Sequence, residues 1–117
     1  MPVILVLDDD SATRNGLVDA LRQLFAGARV ASARSDAAPG IVAVERADVV
    51  LASLPAVERL SRGGARSAVP VVALTREMGP DTLMKAEEQG VTGVLRVPAG
   101  AEQLAAVLGP ILDALPQ

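Results

Sequence analysis

Short apolar runs of strand length alternate with amphipathic stretches along this chain, and the alternation itself predicts the architecture. "PVILVL" (2–7) is continuously apolar, the pattern of a parallel strand buried on both faces. "SATRNGLVDALRQLFAG" (11–27) places Leu17, Leu21 and Leu24 at helical spacing, with Val18 and Phe25 widening the stripe and Gly27 as a stop signal. "RVASAR" (29–34) reads as a weak strand at a sheet edge. "DAAPGIVAVERA" (36–47) reads as a poor helix whose first turn Pro39 and Gly40 disturb.

The same alternation continues to the end. "DVVLASL" (48–54), "VPVVALT" (69–75) and "TGVLRV" (92–97) are predicted strands. "PAVERLSR" (55–62) and "PDTLMKAEEQG" (80–90) are predicted helices that begin on a proline, and "GGARS" (63–67) is a predicted loop. "AEQLAAVLGPILDALP" (101–116) closes the chain as a helix that Pro110 should kink or divide. Five strands alternating with five helices require right-handed crossovers, giving a doubly wound α/β domain, (βα)5, with a parallel sheet covered on both faces. At 117 residues the chain is most simply one such domain, 1–117.

Composition narrows the chemistry. Half the residues are apolar, as a sheet buried on both faces needs. With no histidine and no cysteine, the usual general base, the usual zinc ligand, disulfides and thiol chemistry are all excluded. A net charge of −3 gives no basic footprint for nucleic acid, and the single aromatic, Phe25, gives no stacking platform. There is no apolar run of the roughly 18 residues that span a bilayer and no signal-peptide pattern at the start, so the expectation is a cytoplasmic chain with no membrane partner.

In doubly wound sheets the functional crevice lies at the carboxyl ends of the strands, where the strand order reverses. Asp8, Asp9 and Asp10 follow the first strand there, Ser53 follows the third, Thr75 and Arg76 the fourth, and Val97 and Pro98 the fifth. The segments "ILVLDDDSATR", "ADVVLASLP", "PVVALTRE" and "EEQGVTGVLRVP", in this order and spacing, resemble the receiver domain of two-component response regulators along the whole chain. The resemblance implies a CheY-like, flavodoxin-like sheet of strand order 2-1-3-4-5. It implies that Asp8 and Asp9 match the acid pair that helps hold a divalent metal, Thr75 the hydroxyl that binds the phosphoryl group, and Pro98 the proline that follows the fifth strand, typically after a cis bond.

Three positions depart from that pattern, two of them essential. Ser53 stands where the phosphoacceptor aspartate belongs, and Val97 stands where the invariant lysine belongs; Val94 replaces the aromatic switch residue. A serine hydroxyl ionises far above neutral pH and has no histidine to activate it, so it does not replace a carboxylate nucleophile. The expectation is an atypical, or pseudo-, receiver: no enzyme, no cofactor, a degenerate phosphorylation site at Ser53, Thr75, Val97 and Pro98, and work done through protein partners. The alternative is a divergent receiver that still binds Mg²⁺ weakly through Asp8 and Asp9 and switches with another ligand. Arg76 or Arg96 is expected to neutralise the acids where the lysine is missing. Asp10 or Ser11 is expected to cap the first helix, with Asp8 and Asp9 otherwise solvated at a sheet edge.

Three bland readings stand beside these. Thr75 has a simpler role as a backbone partner at its strand end. Ser53 has one as a small residue tolerated once the chemistry is lost. "SRGGARS" (61–67) departs from phosphate-loop spacing and reads as a turn. The last helix is apolar over more than one core-facing stripe. Because the resemblance implies an interface built from the fourth helix, fifth strand and fifth helix, Val94, Leu104, Val107, Leu108, Ile111, Leu112 and Leu115 are the expected contacts with an effector domain or a homodimer partner.

Overall fold

In the computed structural model, which describes residues 1–38, 40–63 and 69–115, five parallel strands form one sheet of order β2-β1-β3-β4-β5. The elements are β1 (Val3–Leu7), α1 (Ser11–Leu24), β2 (Arg29–Ala33), α2 (Gly40–Glu45), β3 (Val49–Ser53), α3 (Leu54–Gly63), β4 (Val71–Thr75), α4 (Pro80–Glu88), β5 (Gly93–Arg96) and α5 (Ala101–Asp113), with a 3-10 turn at Ser35–Ala37 between β2 and α2. This is the flavodoxin-like α/β arrangement that the sequence predicts. The order reverses between β1 and β3, which places the ends of those strands at the switch point.

Period-two alternation splits the strand side chains between two cores. On one face Ile4, Val6, Val49, Leu51, Val72, Leu74 and Leu95 meet Leu17, Val18 and Leu21 of α1 and Leu104 and Leu108 of α5. On the other, Leu5, Leu7, Val50, Ala52, Val71 and Ala73 meet Val42 of α2, Ala56, Val57 and Leu60 of α3, and Ala86 of α4. Strands buried on both sides have no polar face, which is why their runs are continuously apolar.

Several boundaries differ from the sequence expectation, each for a local reason. α1 stops at Leu24, before Gly27, because the chain must turn into β2; the Phe25 N–H still bonds the Leu21 carbonyl as the helix ends. The stretch 36–47 divides into the 3-10 turn and the six-residue α2. Leu54 and Gly63 extend α3 by one residue at each end, and the remainder of the expected loop, 64–67, like Pro39 and Pro116, lies outside the described residues. α4 ends in a Schellman turn: Gly90 adopts φ 73°, its N–H bonds the Glu87 carbonyl, and the Val91 N–H reaches Ala86. α5 runs undivided through Pro110.

The expected contact set on α5 needs one correction. Leu104 and Leu108 are fully buried against the sheet and have no surface to offer a partner. Facing the strands takes this pair, four residues apart, while Val107, Ile111, Leu112 and Leu115 remain partly exposed. Val94, on β5, is likewise only partly buried.

Candidate functional site

The sheet brings the residues singled out in the sequence to one edge. Leu7 pairs with Ala52, Ser53 with Leu74 and Thr75 with Arg96, so Asp8, Ser53, Thr75 and Val97 end four neighbouring strands side by side. β1 is internal, between β2 and β3, so its acids lie at the carboxyl end of an internal strand and not on an outer strand of the sheet.

The three carboxylates each have a different occupation. Asp8 is buried, and its Oδ1 accepts the Asp10 N–H at 2.9 Å, closing the turn that leaves β1. Asp9 turns toward the end of β2, where its two oxygens accept the Ser35 N–H at 2.8 Å and the Ser35 hydroxyl at 2.7 Å. These two bonds, the hydroxyl's first, hold the Asp9 carboxyl below its ordinary range, and the positive charges of Arg34 and Arg14 act in the same direction. Asp10 is the N-cap of α1 and accepts from the Thr13 hydroxyl and from the Thr13 N–H at 3.2 Å. Those Thr13 bonds, assisted by Arg76, lower its pKa as well.

Arg76 meets the acid cluster at Asp10, with Nη2 2.9 Å from Asp10 Oδ2 and the same distance from Thr13 Oγ1. The bond ties the β4–α4 connection to the start of α1. Both side chains are about half exposed, so the pair is a screened surface interaction. Arg96 is exposed and makes no ion pair with the acids among the described residues.

Two further groups at this corner carry no sequence signal strong enough to select them. Arg14 donates from Nη1 to the Asp8 carbonyl at 2.7 Å, which places a guanidinium beneath the turn. Its position one helical turn beyond Asp10 is the only local hint. Ser35 lies 26 residues from Asp9 and meets it only because β2 is the parallel neighbour of β1.

The opposite side of the crevice is apolar or unpartnered. Ser53 Oγ is buried and has no hydrogen-bond partner among the described residues. Thr75 is buried, and its hydroxyl donates to the Glu77 carbonyl at 2.6 Å while accepting the Glu77 N–H at 3.1 Å, so it is a backbone partner at the strand end. Val97 is buried in the core on the α1 and α5 side, and the bond from it to Pro98 is cis. Ala12, Thr13, Gly16, Leu17, Val97, Pro98 and Ala99 line a small cleft of about 160 Å³ beside it.

As a donor set for a hard divalent cation this arrangement fits poorly. Both Asp9 oxygens are taken by Ser35, Asp10 by the helix cap and Arg76, and no group of three acidic side chains converges among the described residues.

No family model matches the sequence, and no curated protein is detectably similar to it. Solved structures are similar in fold. The Vibrio cholerae chemotaxis protein CheY4 is 23% identical with a TM-score of 0.81, covering 95% of this chain and 98% of its own. The signal receiver domain of a DNA-binding response regulator from Colwellia psychrerythraea is 19% identical with a TM-score of 0.83, over 97% and 99%. A two-component response regulator from Clostridium difficile is 18% identical with a TM-score of 0.80, over the full length of both. At these identities the likeness establishes the fold: this chain has the five-stranded, flavodoxin-like α/β fold of the CheY-like receiver domains.

Proposed function

We propose that the chain is an atypical receiver domain, spanning 1–117, of a bacterial two-component-type signalling or regulatory protein, which acts through protein contacts without aspartyl phosphorylation. The observation that carries this reading is the end of β3. The nucleophile position holds Ser53, whose hydroxyl is buried and has neither a base nor any other hydrogen-bond partner among the described residues. Val97 adds to it: an apolar side chain in the core supplies no charge to a phosphoryl oxygen.

Incubation of the chain with acetyl phosphate or beryllofluoride, followed by mass and NMR analysis, tests the reading. The expected result is no modification; a stable adduct in the crevice overturns it. The poor fit of the acids to a cation supports a domain that works without Mg²⁺. Titration with Mg²⁺ should leave the amides of Asp8, Asp9 and Asp10 without saturable shifts at about millimolar concentration. Saturable shifts there establish the divergent, metal-binding receiver instead.

The partner-facing surface in this reading includes the exposed side of α5. Ile111 and Leu115, with Pro70, Thr92, Pro110 and Ala114, line an almost wholly apolar cleft of about 300 Å³. Homodimerisation or an effector domain covers it. Light scattering after size exclusion, detected by refractive index because the chain has neither Trp nor Tyr, should give a dimer at high concentration; a strict monomer removes the dimer from the proposal. Among the described residues no helix is long and apolar enough to cross a membrane.

A further inference from the structure

The chain's exposed large apolar side chains are unevenly placed. Apart from the terminal Met1 and from Val44 on α2, those among the described residues are Met84, 58% exposed, Met78, 41%, and Leu83, 38%, and these three belong to α4 or the connection that enters it. These are the only methionines apart from Met1. None serves the crevice, and none lies on α5. Met84 forms part of a cleft of about 360 Å³ between the start of α3 and α4, lined also by Leu54, Asp81, Thr82, Lys85 and Glu88.

Charge is just as uneven. Glu77, Asp81, Glu87 and Glu88 stand against the single lysine of the chain, Lys85, so segment 77–88 carries −3. The whole chain also carries −3, so its other ten acids and ten bases cancel. All five of these charged side chains are exposed, and Arg76, next to the segment, is committed to Asp10. A charge equal to the protein's net charge is therefore gathered on the segment, α4 and its entry, that also bears two of its flexible, polarisable methionines.

We infer that the α3–α4 cleft is a docking site for a basic amphipathic helix of a partner protein. The apolar face of such a helix would cover Leu54 and Met84, and its lysines and arginines would meet Asp81, Glu88 and the neighbouring acids. A second copy of this chain is a poor occupant, since a two-fold contact through α4 opposes like charges and the rest of the surface carries no compensating excess. The inference rests on the reading of the chain as a partner-binding module, but not on the state of Ser53 or on the α5 surface.

The test uses the full chain, ¹⁵N-labelled, with three synthetic peptides of about 18 residues: a helix with leucines on one face and lysines and arginines on the other, the same design with glutamates for the bases, and a scrambled basic sequence without an apolar face. The basic amphipathic helix should give saturable shifts at Leu54 and across 81–88, weakening as salt is raised. Met84→Glu, at an exposed site, should weaken that binding by about tenfold or more while leaving the remaining spectrum in place. The double variant Asp81→Lys, Glu88→Lys should transfer preference to the acidic peptide. Equal binding of the scrambled peptide, shifts centred elsewhere, insensitivity to Met84→Glu, or no saturable shift with any peptide would each overturn the inference. None of these outcomes bears on the acetyl phosphate result, which reads the crevice alone.

Discussion

The two sides of the crevice share one sheet edge and differ in how their side chains are used. On the β1 side every carboxylate is engaged: Asp8 closes a turn, Asp9 is fastened to Ser35, and Asp10 caps α1 and pairs with Arg76. On the β3 and β5 side the Ser53 hydroxyl has no hydrogen-bond partner among the described residues and Val97 belongs to the core. The contrast shows acids used singly rather than as a cluster: each has a structural role of its own, in a turn, a strand-end staple or a helix cap.

The largest expected effect comes from placing a charge on the apolar side. Val97→Lys buries an ammonium stem in a packed core and should cost about 2–3 kcal/mol of stability, read by thermal or urea unfolding. A near-neutral result would mean that the lysine reaches the acids, and that the two sides still communicate. Ser53→Ala removes a buried hydroxyl that has no partner, so it should be neutral or stabilise by up to about 1 kcal/mol. A clear loss of stability would show that the hydroxyl has a partner in solution and that the contrast is overdrawn.

The smallest expected effect is on the acid side and depends on pH. Asp9 and Asp10 both have carboxyl pKa values below the ordinary 3.8 in the folded chain. A carboxylate more acidic when folded stabilises the fold above its unfolded value, and that contribution is lost as pH falls through the folded value. Stability contributed by the pair should therefore be intact above about pH 5 and decline below 3.8. Asp9→Asn combined with Asp10→Asn should flatten this acid limb in pH-dependent unfolding, and an unchanged limb would mean that the Ser35 and Thr13 bonds do not persist in solution. Because these groups are exposed, the decline should be small and should shrink further in salt.

Much of the fold was legible because its signals are local. Continuous apolar runs mark strands buried twice, and the Leu17, Leu21 stripe marks α1, whichever residues they later meet. The places of Ser53 and Val97, at and just past their strand ends, were legible too, since the alternation locates the strands. The α5 surface was read less well. Helical periodicity alone does not say which of its leucines face the sheet, and Leu104 and Leu108 were expected at an interface that their burial denies them.

By itself, then, the sequence determined the parallel (βα)5 arrangement and the chemistry excluded by the absence of histidine and cysteine, because composition and short-range periodicity are properties of the chain before it folds. Tertiary structure decided the partners. Ser35 reaches Asp9 across 26 residues and Arg76 reaches Asp10 across 66, contacts set by strand order and register that no local pattern encodes. It also decided that the Ser53 hydroxyl is left without a partner among the described residues, since whether a buried hydroxyl is satisfied depends on groups brought in from other strands.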